Sequence, residues 1–230
     1  MKSGILGLIR GNSNSIESFH ETREQDGERF SQSLQLEEIG HTEAGKPILE
    51  GEAATETTDS EDSISINGDS GEIIVTEKPV KSEKYTKILV VPDEFSVVSS
   101  SSGIFAFDML NRAGGISAMR SSLDLNTYAE QYYDGPGVDP WQVGFYGNIG
   151  EAEKGTVYGE EVFDDSEIGD ILERSQINQL GLEYEVAGAD LKVTMTESGY
   201  IEVYQPSNYS TEDFCNFLSN EILSIASVDM

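Results

Sequence analysis

Cysteine, histidine and positive charge are all scarce in this chain. Its 230 residues include one cysteine, two histidines and 14 Lys+Arg against 43 Asp+Glu. One cysteine excludes a disulfide framework, and with two histidines it cannot supply the four ligands of a structural zinc module. The sequence lacks an apolar run of about 18 residues, which a membrane-spanning helix needs. It also lacks the basic patch of a nucleic-acid-binding domain.

The net charge of −29 is the strongest signal in the composition. Self-repulsion of this size destabilises a compact chain in ordinary salt, whereas molar salt shortens the Debye length to about 3 Å. The composition is therefore typical of proteins from the salt-rich cytoplasm of extreme halophiles such as haloarchaea. Residues 1–84 carry a charge of −10 and residues 85–230 carry −19. This spread favours solvation of the whole surface over the alternative, a DNA-mimic face.

The start of the chain carries a short apolar stretch at residues 5–9. The stretch is too short for the core of a secretion signal, and no small-residue cleavage site follows it. We therefore expect a cytoplasmic protein that does not enter a membrane.

Composition changes near residue 84. Residues 1–84 hold only two of the twenty aromatic residues, Phe19 and Phe30, and the polar stretch at 50–62 has almost nothing to bury. A segment of this kind cannot offset the entropy cost of ordering. We predict that residues 1–84 are an acidic, low-complexity segment that is largely disordered. Two patterned stretches interrupt it: residues 33–39 alternate over Leu34 and Leu36, and a hairpin is possible near 63–75, where two apolar runs flank an Asn-Gly pair.

Residues 85–230 have the pattern of a globular α+β domain with a mainly antiparallel sheet of hairpins and a meander. Buried or alternating strands are predicted at 87–92, 95–98, 103–108, 141–146, 155–158, 180–186, 191–195 and 200–204. A short helix is predicted from residue 125 with Asn126 as its cap, and another from Asp164 or Asp165 to residue 172.

The C-terminal segment predicts an amphipathic helix that covers one face of the sheet. Ser210 and Asp213 have the spacing of a capping box. The apolar residues of the helix fall on one stripe. They are Phe214, Phe217, Leu218, Ile222 and Ile225.

No sequence pattern identifies a reaction. Both histidines, His20 and His41, lie in the N-terminal third, apart from Cys215, so no nucleophile has a nearby base. Phosphate-binding glycine loops are absent, and the acidic residues around 164–170 do not match a calcium loop. The sequence therefore predicts no cofactor, no metal and no catalytic residue. It favours a non-enzymatic protein, although an enzyme built on carboxylates, tyrosine and serine stays an alternative.

Aromatic residues on the predicted strands are the candidate binding residues. Period-two alternation places Tyr200 and Tyr204 on one sheet face, opposite Ile201 and Val203, which should contact the C-terminal helix. The candidate face consists of Trp141, Tyr146, Tyr200 and Tyr204.

Protein–protein contact is the leading hypothesis for function, with an unidentified protein as partner. One alternative is a nucleic-acid-related role, either as a DNA mimic or through base stacking on the aromatic face, although the charge makes a nucleic-acid partner unfavourable. A further alternative is an accessory protein of a mobile element.

Overall fold

One large antiparallel sheet organises the computed structural model, which describes residues 1–11, 16–25, 27–132, 139–149, 152–159, 162, 174–186 and 188–228. The first seven strands are β1 Ser3–Arg10, β2 Phe19–Gln25, β3 Glu28–His41, β4 Pro47–Ile66, β5 Ile73–Val91, β6 Phe95–Val98 and β7 Ser117–Arg120. The others are β8 Ser122–Leu123, β9 Asp139–Ile149, β10 Ala152–Tyr158, β11 Gln176–Val186, β12 Ala189–Thr196, β13 Tyr200–Gln205 and β14 Ala226–Ser227.

Three α-helices are described: α1 Phe105–Gly114, α2 Leu125–Tyr132 and α3 Thr211–Phe217. A π turn, Leu218–Ile222, and a 3₁₀ turn, Leu223–Ile225, continue α3, and a 3₁₀ turn, Ser101–Gly103, precedes α1. None of the helices in the described part of the chain is long and apolar enough to cross a membrane.

The strands of the large sheet follow the order β10-β9-β11-β12-β13-β1-β6-β5-β4-β3-β2, with β7 also paired to β1. The neighbouring strands pair antiparallel. The short strands β8 and β14 form a separate pair. The prediction of a mainly antiparallel α+β fold is confirmed.

The C-terminal meander and its helix follow the sequence prediction. Strands β11, β12 and β13 are consecutive neighbours. The Ser210 side chain accepts a hydrogen bond from the Asp213 N–H, and the Asp213 carboxylate accepts one from the Ser210 N–H, so the capping box is complete. Ile201 and Val203 join the core that contains Phe214 and its stripe. One sheet face is thus covered by the C-terminal helix.

Helix α1 covers the other face, over the centre of the sheet. Its Phe107 and Leu110 pack with Ile5, Ile88 and Val90. The strand predicted at 103–108 is therefore wrong. Apolar side chains there alternate over a few residues, but they continue at helical spacing to Leu110, and Gly115, at φ 60°, ends the helix in the left-handed conformation.

Helix α2 has a different cap from the predicted one. The Asp124 carboxylate accepts a hydrogen bond from the Thr127 N–H at 3.0 Å, which is the role predicted for Asn126. The Asn126 amide instead accepts a bond from the Ile177 N–H and donates one to the Ser175 carbonyl, each at 3.0 Å. Asn126 therefore ties α2 to β11. The helix predicted up to residue 172 lies outside the described residues.

Residues 1–84 differ from the expectation of a largely disordered segment. Strand β1 lies inside the sheet between β13 and β6, and the polar stretch at 50–62 belongs to β4. Strand β4 pairs residue by residue with β5, from Leu49–Val90 to Ile66–Ile73. The partner strand satisfies the backbone groups of this stretch, which therefore needs few apolar side chains to hold its place. The expected domain boundary at 84/85 falls inside β5.

Candidate functional site

The aromatic residues predicted as a binding face lie on β9 and β13. Trp141 and Tyr204 meet edge-on, with ring centroids 6.1 Å apart and ring planes at 75°. The Lys192 ammonium lies 5.0 Å from the Trp141 centroid and 3.0 Å from the Glu183 carboxylate. The indole also lies against Gly181, where an added Cβ would come within 2.7 Å of it. The structure thus joins two of the predicted residues, but their neighbours already cover much of the indole.

The other two tyrosines are each bound to a carboxylate. The Tyr200 hydroxyl donates to Glu202, and the Tyr146 hydroxyl donates to Glu197, both at 2.9 Å. Burial and the Glu202 carboxylate raise the pKa of Tyr200 to about 12, and the bond to Glu197 raises the pKa of Tyr146. Two carboxylates contact the tyrosines, and a third, Glu183, neutralises the ammonium over Trp141, a balance that repels a phosphate backbone.

Acidic and sulfur side chains were also considered as metal ligands. Within the described ranges, no three His, Cys, Asp or Glu side chains gather as a metal site. The acidic cluster at 164–170 lies outside those ranges.

Cys215 belongs to α3, and its thiol is buried in the core that this helix forms with the sheet. Burial raises its pKa to about 12, and a protonated, buried thiol is a poor nucleophile. We expect the native protein not to react with a thiol-specific disulfide reagent at pH 8, and to react at one thiol per chain after unfolding. A Cys215→Ser variant should not react with the reagent in either the native or the unfolded state. Rapid reaction of the native protein would contradict this assignment.

The longest projection of the fold is the distal part of the β4–β5 hairpin. Strand β3 pairs with β4 only as far as Thr55, so beyond that point β4 and β5 pair with no other strand in the described part of the chain. We call residues 57–82 the arm. The turn at its end is held by Asn67, whose side-chain oxygen accepts hydrogen bonds from Asp69 N–H at 3.0 Å and Ser70 N–H at 3.3 Å. The hairpin predicted near 63–75 thus forms the end of a much longer ribbon.

Four β-branched side chains make the end of the arm apolar on one face. Ile64 lies opposite Val75, and Ile66 lies opposite Ile73. The alternation of a strand therefore sends all four side chains to the same face of the ribbon, where they are 69%, 56%, 69% and 66% exposed, respectively. We call these four residues the tip patch. Ile74, which is 40% exposed, points to the opposite face.

A small cavity lies at the base of the arm, between α1 and the strands β2 to β5. Its volume is about 210 Å³. We call it the basic hollow because three of the chain's 14 cationic side chains line it. Its lining residues are Arg23, Gln32, Thr55, Thr57, Lys84, Phe105, Asp108, Met109 and Arg112.

Partners of the three cations differ. Arg112 Nη1 lies 3.2 Å from the Glu21 carboxylate. Arg23 and Lys84 have no ion pair with any residue in the described part of the chain. Positive charge is therefore available in this cavity, on a protein whose surface is otherwise dominated by carboxylates.

Sequence reasoning identified neither the projection of the arm nor the basic hollow. The alternation of Ile64 and Ile66 before the turn, and of Ile73 and Val75 after it, was a usable signal for a one-sided apolar hairpin. The hollow left no such signal, because its cations come from three elements that are remote in the sequence.

The chain matches no protein-family model, and no curated protein matches it significantly.

Proposed function

We propose that this chain is a non-enzymatic protein of a salt-rich cytoplasm, and that it acts through protein–protein contacts made by its arm. The observation that carries the proposal is the tip patch. Four large apolar side chains are held in water at the end of a two-stranded ribbon, while the sheet already has covered cores on both faces.

An exposed patch of this kind has a large free energy available for binding. Full burial of one such side chain contributes about 1.5–3 kcal/mol. In the isolated molecule these side chains contribute only their cross-strand pairing, roughly 0.2–1 kcal/mol per pair, because a two-stranded ribbon leaves more than half of each exposed. Association must still overcome the loss of translational and rotational freedom, so the patch supports a contact of moderate strength.

Salt strengthens the case for an apolar contact. At molar ionic strength the Debye length is about 3 Å, so attraction between charges that stay exposed to solvent contributes little to affinity, whereas charges enclosed in an interface are screened much less. Apolar burial does not depend on unscreened charge. A contact based on isoleucine and valine is therefore suited to the salt-rich environment that the composition indicates.

A matched pair of variants tests the proposal. The wild-type chain, immobilised through a tag, should retain proteins from a high-salt extract of its source cells, including untagged copies of the same chain. The immobilised Ile66→Ser variant should not retain these proteins. Ile74→Ser also replaces an isoleucine by serine, but on the opposite face of the ribbon, so this variant should retain the same proteins as the wild type. Identical profiles for the wild type and both variants would overturn the proposal.

A further inference from the structure

We propose that the tip patch of one copy docks at the basic hollow of a second copy, which links copies of this chain head to tail. This inference rests on the proposed function and names the partner for it.

The hollow combines positive charge with an apolar wall. Arg23 and Lys84 have no ion-pair partner within the described residues, and Phe105 and Met109 of α1 supply the apolar surface. One carboxylate, Asp108, also lines the cavity. A segment that fits the hollow must therefore bring apolar side chains together with negative charge.

The end of the arm has that chemistry. Directly behind the tip patch, on the same face of the ribbon, Asp62 lies opposite Glu77. Two acids side by side repel each other across a strand pair, and cations from a partner would relieve this repulsion. The turn itself adds Asp69 and Glu72. The complementarity in charge and in apolar surface is thus between two parts of the same chain.

The volume of the hollow fits side chains better than a small-molecule ligand. Pockets for such ligands measure about 300–1,000 Å³, whereas the hollow measures about 210 Å³. One or two side chains from a projecting strand turn are the kind of group that enters a cavity of this size.

The arm cannot reach the hollow of its own molecule. Thr55, Thr57 and Lys84 line the hollow and lie at the base of the same ribbon. From Thr57 to Ile66 the ladder is unbroken, and nine residues of extended strand span roughly 30 Å. Only the tip of another copy can therefore occupy the hollow.

The tip patch and the basic hollow of one molecule face different directions. Thr55 and Thr57 of β4 face the hollow, whereas Ile64 and Ile66 are displaced from them by an odd number of residues. In a strand, such residues leave opposite faces. Each copy thus offers one tip and one hollow on separate surfaces, and a contact between unlike surfaces produces rings or open filaments.

Mass measurements in molar KCl test the head-to-tail contact on the purified full-length chain. The weight-average mass of the wild type should rise with concentration. Ile66→Asp, which disables the tip, and Lys84→Glu, which disables the hollow, should each be monomeric. Two control variants should assemble like the wild type: Ile74→Asp on the other face of the arm, and Lys154→Glu on β10.

Mixing the two disabled variants is the decisive step. Ile66→Asp keeps an intact hollow and Lys84→Glu keeps an intact tip, so the mixture should form a 1:1 dimer and nothing larger. A mixture that stays monomeric would overturn the proposal. Self-association of Lys84→Glu at the wild-type level would also overturn it, since that result indicates tip-to-tip pairing.

Two further results are covered by the design: unfolding of a variant and a monomeric wild type. If either variant loses its far-UV circular dichroism spectrum, Val75→Asp replaces the tip variant and Arg23→Glu replaces the hollow variant. A wild type that stays monomeric up to about 1 mM, the limit of weak affinity, would overturn the second copy as partner. Tip-dependent retention of another protein from the extract would in that case still support the proposed function.

Discussion

Lowering the KCl concentration from molar to about 0.1 M is expected to unfold this protein. The expected observation is a cooperative loss of far-UV circular dichroism together with a shift in the emission of the single tryptophan, Trp141. The transition should reverse when salt is restored.

The magnitude of charge repulsion decides this prediction. A sphere of roughly 22 Å radius, the size of a folded chain of this length, costs about 25 kcal/mol to hold 29 net charges at 0.1 M salt and about 10 kcal/mol at 1 M. The expanded unfolded chain costs only about 3 kcal/mol at 0.1 M. At 1 M the unfolded chain costs about 1 kcal/mol, so the electrostatic penalty of folding falls from about 22 to about 9 kcal/mol. The difference of roughly 13 kcal/mol is as large as the whole stability of a typical domain, about 5–15 kcal/mol.

Short-range charge pairs in the sheet do not remove this repulsion. Among the described strands, five directly opposed pairs join two acids and four join an acid to a cation, so together they give no net attraction. The repulsive pairs are Glu37–Glu50, Glu56–Glu83, Asp62–Glu77, Asp139–Glu183 and Glu185–Asp190. The attractive pairs are Glu24–Arg29, Glu52–Lys87, Glu61–Lys78 and Glu183–Lys192.

The arm should respond to salt before the rest of the sheet. It carries six Asp+Glu and two Lys on a ribbon of only two strands, which is marginal in water. Amide hydrogen exchange at residues 57–82 should therefore accelerate at intermediate salt, while amides of the buried strand β6 stay protected. Sucrose, which is excluded from protein surfaces but does not screen charge, is the control for the whole titration. A native spectrum at 0.1 M KCl without added sucrose would contradict the prediction.

Replacing Gly51 by alanine is expected to destabilise the N-terminal third of the chain strongly. Gly51 lies in β4 between Leu36 of β3 and Ile88 of β5. An added Cβ would overlap the carbonyl oxygen of Gln35 and lie 2.8 Å from its carbonyl carbon and 3.0 Å from the Leu36 Cα. Because these neighbours are backbone atoms, β3 must move away from β4.

The expected cost is about 3 kcal/mol, the upper part of the usual range for overpacking. For a chain of this length, that cost lowers the melting temperature by roughly 6–12 °C. Strands β2 and β3 also supply Arg23 and Gln32 to the basic hollow, so the variant should assemble poorly even below its melting temperature.

Gly40→Ala provides the matched control for Gly51. Gly40 lies in β3, the strand that the Gly51 variant displaces, and the only atom of the described residues within 4 Å of an added Cβ is a Glu212 carboxylate oxygen at 3.8 Å. Its melting temperature should stay within about 2 °C of the wild-type value. Equal melting temperatures for Gly40→Ala and Gly51→Ala would show that β3 accommodates the extra carbon.

The sequence alone determined the elements whose signals are local. The meander β11–β13, the capping box of Ser210 and Asp213, and the stripe that includes Phe214 depend on residues a few positions apart, and alternation or helical spacing records them directly. The end of the β4–β5 hairpin belongs to the same class, because its apolar residues flank one turn.

Tertiary structure decided everything that depends on distant partners. The polar stretch at 50–62 is a strand because β5 satisfies its backbone, and Asn126 ties α2 to β11 because Ser175 and Ile177 lie beside it. The basic hollow exists because the fold brings Arg23, Lys84 and the end of α1 to one place. A local sequence pattern does not reveal such contacts, because hydrogen bonds and charge contacts between residues remote in the sequence form only when the chain has folded.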